Sequence, residues 1–134
     1  ITNPRIGQKF DMITCISVLE HIPAHREALK GMFSLLNPGG QIILTFPYNE
    51  HTYHADIYRH PQAGYGQQHP FIGQVYSRNE LNSWLADNGG VILKQIYYEA
   101  FTGEFWTMGD PIYPLRETTA DARHHLTCLL LAKS

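Results

Sequence analysis

The sequence predicts an α/β fold built around parallel strands, and three observations predict it. Phe10 to Val18 is an almost uninterrupted run of apolar and small residues in which Asp11 is the single charge. Such a run suits a central strand covered on both faces. An amphipathic segment follows, and Gln41 to Phe46 then repeats the buried-strand pattern with Ile42, Ile43 and Leu44 at its centre. A helix between two such strands is a βαβ unit, expected to cross over right-handed. Pro23 stands just ahead of that helix, where its missing N–H costs nothing.

Each element follows from its residues. Ile1 to Lys9 is polar, carries Asn3-Pro4 and Gly7, and reads as a connector. The first strand, Phe10 to Val18, ends in the turn Leu19 to Ile22. That turn lies at the carboxyl end of a parallel strand, where open α/β sheets place their ligands. The first helix is expected from Ala24 to Leu36. Ala28, Leu29, Met32, Phe33, Leu35 and Leu36 fall near one face, and His25, Arg26, Glu27 and Lys30 mostly on the other. Asn37-Pro38-Gly39-Gly40 is expected to end it.

Pro47 to Tyr76 is rich in Tyr, His, Gln, Gly and Pro and poor in aliphatic residues. Long loops in compact domains are commonly functional or mobile. Ser77-Arg78-Asn79-Glu80 is a capping box. It opens a helix that turns Leu81, Trp84 and Leu85 inward and stops at Asn88-Gly89-Gly90. Val91 to Tyr98 reads as a strand, Phe101 to Arg123 as irregular, and Leu126 to Ala132 as a last apolar strand. The order is β-α-β-loop-α-β-loop-β, with no repeat, low-complexity tract or interdomain linker.

A chain of 134 residues suffices for one domain with a real core. Ten Lys and Arg stand against 12 Asp and Glu, with no basic run, so nucleic acid is not an expected partner. No apolar segment is long enough to span a membrane, and no signal peptide is recognisable. Cys15 and Cys128 fall in expected strands and read as reduced core thiols of a cytoplasmic protein. The chain begins with Ile1 rather than Met, just ahead of a central-type strand. The expectation is therefore part of a longer protein.

The run Phe-Asp-x-Ile-x-Cys-x-x-Val-Leu-Glu-His-Ile, the helix after it, Leu36-Asn37-Pro38-Gly39-Gly40 and the strand Gln41 to Phe46 closely resemble class I S-adenosylmethionine-dependent methyltransferases. The nearest likeness is the small-molecule branch with ubiquinone- and menaquinone-type enzymes. It is sharp over Phe10 to Phe46 and elsewhere extends only to element order. It implies a partial Rossmann-like methyltransferase fold: strands four to seven of a seven-stranded sheet, the last antiparallel and inserted beside the second strand seen here. It implies S-adenosyl-L-methionine as cofactor and a small-molecule substrate as partner. The family's glycine-rich turn and its ribose-binding carboxylate would belong to an upstream half. Nothing before Phe10 supplies them, and Gly39-Gly40 and Gly89-Gly90 each follow a helix rather than a strand.

By the resemblance, Cys15, Ile16 and Ser17 line the cofactor pocket, with Ile16 the expected contact. Glu20 and His21 belong to the same turn. The alternative is that all five are structural: three core residues, an acidic residue at a helix start and a packed histidine. Some ubiquinone-type relatives carry a second acidic residue where Ser17 stands, forming a metal set with the Glu-His pair. Ser17 breaks that pattern, and no metal is expected.

The tyrosine–histidine loop is the second candidate site. Tyrosine offers an apolar face and a hydroxyl, and histidine a proton acceptor near neutral pH. His51 and His54 are the catalytic candidates, as bases for an acceptor hydroxyl. Tyr48, Tyr53, Tyr58 and His69 are candidates for binding the substrate. Trp106 either closes over the same mouth or anchors the core beneath the last strand. A surface loop whose aromatics fold back on the domain is the competing reading.

Together these features predict O-methylation of a small polar metabolite or saccharide. Ser17-Val18-Leu19-Glu20 stands where nucleobase amino-methyltransferases show an Asp/Asn-Pro-Pro-aromatic run, which disfavours that sub-class. The alternative is a non-catalytic half-domain acting as a binding or assembly module. A homo-oligomer through an exposed sheet edge is the expected form of assembly.

Overall fold

The structure, a computed structural model, describes residues 2–134. Ile1, the first residue of the expected connector, lies outside the described residues. Five strands and two α-helices follow in order: β1 (Phe10–Ile16), α1 (His25–Ser34), β2 (Leu36–Pro47), α2 (Arg78–Asn88), β3 (Gly90–Phe101), β4 (Pro111–Thr118) and β5 (Leu126–Lys133). They form one mixed sheet in the order β1-β2-β5-β3-β4. β1 and β2 are parallel, as the βαβ pattern requires. β5 runs antiparallel between β2 and β3, which is the insertion the resemblance implies.

One core holds the sheet to its helices. Ala28, Leu29, Met32 and Phe33 of α1 and Leu81 and Trp84 of α2 pack on Ile42, Leu44 and Phe46 of β2 and Leu129 and Leu131 of β5. The alternating strand residues Ile43, Ile96, Cys128 and Leu130 face the other way and line a shallow apolar depression with Lys94. Glu80 reaches back to the Ser77 N–H at 2.9 Å, fixing the start of α2.

Several expectations are corrected. The first strand ends at Ile16, not Val18, because Ser17 turns into the left-handed region with φ +52°. A non-glycine residue there is uncommon and carries strain. β1, expected to lie beside a strand that these residues do not include, is an edge strand of the described sheet, with Met12 and Ile16 each 51% exposed. The helix expected over Ala24–Leu36 is shorter, His25–Ser34. Asn37-Pro38-Gly39-Gly40 is not a separating turn but an irregularity within β2. Phe10 pairs with Leu36 and Met12 with Gln41, so the intervening residues bulge out, with Gly39 at φ +74°. The segment Phe101–Arg123 is not wholly irregular, since Pro111–Thr118 forms β4 against β3. Pro111 and Pro114 hid it, because proline argues against a ladder strand, but β4 lies at the sheet edge, where proline is tolerated.

Candidate functional site

The carboxyl end of β1 is built by a short 3-10 turn, Leu19–His21. The Ser17 N–H donates to the Thr45 carbonyl and hydroxyl, both at 3.0 Å, and ties the turn to β2. Glu20 is buried. Burial pushes its carboxyl above the ordinary range, against the pull of its own backbone and of His21. One of its oxygens, Oε2, is shielded from solvent without a partner. His21 places Nδ1 2.7 Å from the Ile72 carbonyl. That carbonyl can only accept, so Nδ1 carries a proton.

The tyrosine–histidine loop folds onto this turn. The Gln74 N–H donates to the Glu20 carbonyl at 2.9 Å, and Gln74 Nε2 donates to the Ile22 carbonyl at 2.9 Å. The Tyr76 hydroxyl donates to the Leu19 carbonyl at 2.8 Å. The two sequence-predicted regions are thus brought together, and Gln74, which no sequence signal marks, does much of the joining. The loop has its own small core of Ile57, Tyr58, Val75 and Met108, flanked by Phe105 and Trp106.

Two cavities border these segments. One, of about 250 Å³, is apolar and runs between β1 and α1, lined by Ile13, Cys15, Ile16, Leu19 and Met32 among others. Burial, followed by the Glu20 charge, pushes the Cys15 thiol up. The other, also about 250 Å³, lies between Asn49–Thr52, Glu104–Phe105 and the Ala120–His124 segment. His51 lines it; His54 does not. The His54 ring instead packs 4.6 Å from Phe105 and 5.8 Å from His60. Burial, then His60, lowers its pKa.

The remaining candidates divide between surface and core. Tyr53 is partly exposed, and its hydroxyl donates to Gln74 Oε1 at 2.7 Å. His69 stacks on Phe71 with centroids 4.7 Å apart. Tyr48 is fully buried and its hydroxyl donates to Glu50 Oε1 at 3.1 Å. Tyr58 is buried under Gly66 and Gly73, and burial pushes its hydroxyl up to about 12. Trp106 is half-buried and packs edge-on against Phe101 of β3 at 5.1 Å.

Sequence reasoning missed Glu50, Arg78 and His124. Arg78 grips Glu50 through Nε and Nη2 at 3.1 and 3.0 Å. His124 stacks on Tyr48 beside the second cavity. A signal did exist for His124: adjacent histidines open an apolar strand. Among the described residues, no three His, Cys, Asp or Glu side chains are grouped as a metal ion would need.

A family model described as a methyltransferase domain matches residues 4–95. The ubiquinone biosynthesis O-methyltransferase of Coxiella burnetii is 31% identical over 108 residues, covering 74% of this chain and 44% of that protein. This chain therefore spans less than half the length of that relative. A methyltransferase structure from Methanosarcina mazei aligns at TM-score 0.60 and 16% identity, covering 98% of this chain and 63% of that one. The 1,6-didemethyltoxoflavin-N1-methyltransferase of Burkholderia thailandensis aligns at TM-score 0.59 and 14% identity, covering 99% and 48%. At such identities the structural likeness establishes a shared Rossmann-like fold. The family model covers most of the chain, and the chain belongs to this methyltransferase-domain family.

Proposed function

We propose that this chain forms the acceptor side and one wall of the cofactor site of an S-adenosylmethionine-dependent methyltransferase. Its reaction on this reading is O-methylation of a small polar metabolite or saccharide, and the sheet corresponds to strands four to seven of a seven-stranded one. The observation that carries the reading is the docking of the tyrosine–histidine loop on the turn that ends β1, through Gln74, Tyr76 and His21. It joins the family's cofactor-end turn to an aromatic, acceptor-rich surface.

The residues fit the cofactor as one wall. The groove beside β1 is apolar, which suits a flat heteroaromatic face. At about 250 Å³ it falls below the roughly 300–1,000 Å³ of a complete small-molecule site. Cys15, Ile16 and Ser17, with Glu20 and His21, would hold the cofactor. Bound there, it supplies an activated methyl group on a sulfonium. The chain's own part is to orient the acceptor, exclude water and take the hydroxyl proton. His51 is the base best placed for that role, because it borders the polar cavity. His54 shapes the loop against Phe105. The free thiols Cys15 and Cys128 support a reducing, cytoplasmic setting. Among the described residues, no helix is long and apolar enough to cross a membrane.

The test is a double His51→Ala, His54→Ala variant of the active protein. Turnover is expected to fall far more than cofactor affinity. Unchanged turnover would remove both histidines from the mechanism. A holo structure with the cofactor remote from Cys15–Ser17 would overturn the site.

One observation favours a second reading, assembly through the edge of β1. Met12, Ile16 and Val18 are about half exposed along or just beyond that edge. A non-catalytic module would use this surface and would show no methyl transfer.

A further inference from the structure

We infer that the cavity between Asn49–Thr52 and Ala120–His124 is a recognition site for a polyhydroxylated ring, with Glu50 and the Nε2 lone pair of His124 as its hydroxyl acceptors. This rests on the reading that the acceptor lies on this side of the sheet, and it names the chemistry of that acceptor.

His124 is 5% exposed and borders the cavity. Its Nδ1 lies 2.8 Å from the Ala122 carbonyl. A carbonyl can only accept, so Nδ1 bears the ring proton and Nε2 presents a lone pair. That Nε2 is shielded from solvent and has no partner. Stacking fixes the ring, with Tyr48 5.7 Å away at 14° and Tyr97 4.8 Å away. A fixed, shielded acceptor without a donor is costly, and a ligand hydroxyl that displaces the atoms now covering Nε2 is the donor it lacks.

The other walls set the class of ligand. Glu50 is held in place by Arg78 at 3.0 and 3.1 Å and by the Tyr48 hydroxyl at 3.1 Å. Its charge is already balanced, so it acts as an acceptor rather than as a seat for a cation. Arg123, the arginine of the lining, is spent on Glu99 at 3.1 Å and on the Thr102 carbonyl at 2.7 Å. The Asn49 amide is spent on its own turn: Nδ2 donates to the Thr52 carbonyl at 2.6 Å, and Oδ1 accepts the His51 and Thr52 N–H groups at 3.0 and 2.7 Å. Glu104 and Asp121 add further carboxylates, and Phe105 adds one apolar surface. Acceptors in excess beside one aromatic face match a saccharide ring, whose hydroxyls donate and whose C–H face stacks. An anionic ligand would meet carboxylates without a free cation.

The test needs no cofactor, so its failure leaves the cofactor reading standing, and loss of cofactor binding leaves this site standing. Protein labelled with ¹⁵N in its histidine rings is titrated with methyl α-D-glucopyranoside, and long-range ¹H–¹⁵N spectra are recorded. Tetrahydropyran, the same ring without hydroxyls, is the control. The free His124 ring is expected to be protonated at Nδ1 and bare at Nε2. The glucoside should move the Nε2 resonance saturably, and tetrahydropyran should not. His124→Phe, which keeps the stack on Tyr48, should weaken the glucoside about tenfold, the equivalent of one hydrogen bond. A proton on Nε2 in the free protein would overturn the proposal. So would a resonance that the glucoside leaves in place, as a permanently buried water would produce, or one that tetrahydropyran moves equally. The wild-type titration decides the matter even where the variant fails to fold.

Discussion

Replacing Arg78 by alanine tests the polar network that positions Glu50. Arg78 donates to Glu50 at 3.0 and 3.1 Å, to Gln95 Oε1 at 2.9 Å and to the Tyr97 hydroxyl at 3.0 Å. Its guanidinium also lies 5.6 Å from the Tyr48 ring centre. The two charged side chains are 28% and 17% exposed, so the pair is neither a surface bridge nor a dry one. Between the roughly 0–1 kcal/mol of an exposed pair and the 3–5 kcal/mol lost on breaking a buried one, about 2–3 kcal/mol is expected for Arg78→Ala. Burial opposes ionisation of Glu50, but the hydrogen bonds and charge of Arg78 prevail and hold its carboxyl below the ordinary range. A depressed carboxyl contributes stability above its unfolded pKa of about 4.3 and loses it as pH falls through the folded value. The gap between wild type and variant should therefore be full at pH 7 and should shrink below about pH 4. Urea unfolding at neutral and acid pH measures it. A gap under about 0.5 kcal/mol at pH 7, or one of equal size in acid, refutes the reasoning. Arg78→Lys should recover little, since an ammonium cannot reproduce the fork.

Three further outcomes follow from the packing. A Cβ on Gly73 would lie 2.6 Å from Tyr58 Cε2, so Gly73→Ala should cost about 1–3 kcal/mol by overpacking; an unaltered thermal midpoint would contradict this. His125 accepts the Ala100 N–H at Nδ1 and sits 2.7 Å from the Gly103 carbonyl at Nε2, which requires a neutral ring with Nε2–H. Burial lowers its pKa, so stability should be full above about pH 6.5 and fall as pH drops below it. His125→Asn should flatten that fall between pH 7 and 5, and an identical slope in the variant would exclude His125 as its source. Glu20→Gln removes a buried carboxyl whose ionised form burial disfavours, and it should change stability less at pH 4 than at pH 8; the opposite order counts against this account.

The fold was legible wherever local pattern and tertiary environment agreed. Gln41 to Phe46, Leu126 to Ala132 and the capped helix after Ser77 appear where their apolar periods place them. Failures occurred where tertiary contacts override local signals. Pro38-Gly39-Gly40 looks like a stop, yet pairing with β1 draws it into β2 as a bulge. Pro111–Thr118 carries two prolines and little alternation, and it is a strand because β3 offers it an edge. The site was half legible. Composition pointed to the Tyr/His loop, and the end of the first apolar strand together with the family resemblance pointed to the Leu-Glu-His turn. Composition cannot tell a tyrosine that lines a cavity from Tyr48, which disappears into the core. Nor can it show that Arg78, inside a capping box, reaches back to Glu50. Both distinctions depend on contacts between residues far apart in sequence.

The edge of β1 carries the last prediction. Strand order places β1 at one end of the described sheet, so its outer N–H and C=O groups have no ladder partner there. Met12 and Ile16 are each 51% exposed and Val18 49%. Water reaches this edge, so the unpaired groups do not carry the roughly 1–3 kcal/mol of buried orphans. Their consequence is a template for another strand, and Asp11 is the one charged side chain on β1 that would discourage pairing. Either a preceding segment of a longer protein fills this edge or, in these 134 residues alone, the chain is expected to self-associate through β1 as concentration rises. Lysine at both Met12 and Ile16 places two like charges on that edge and should shift sedimentation toward the monomer, with the far-ultraviolet spectrum unchanged. A wild-type chain that stays monomeric across the accessible concentrations would show that this edge does not recruit a strand. Association that survives both lysines would show that a different surface mediates it, and the apolar depression around Ile43, Cys128 and Leu130 would be the next to test.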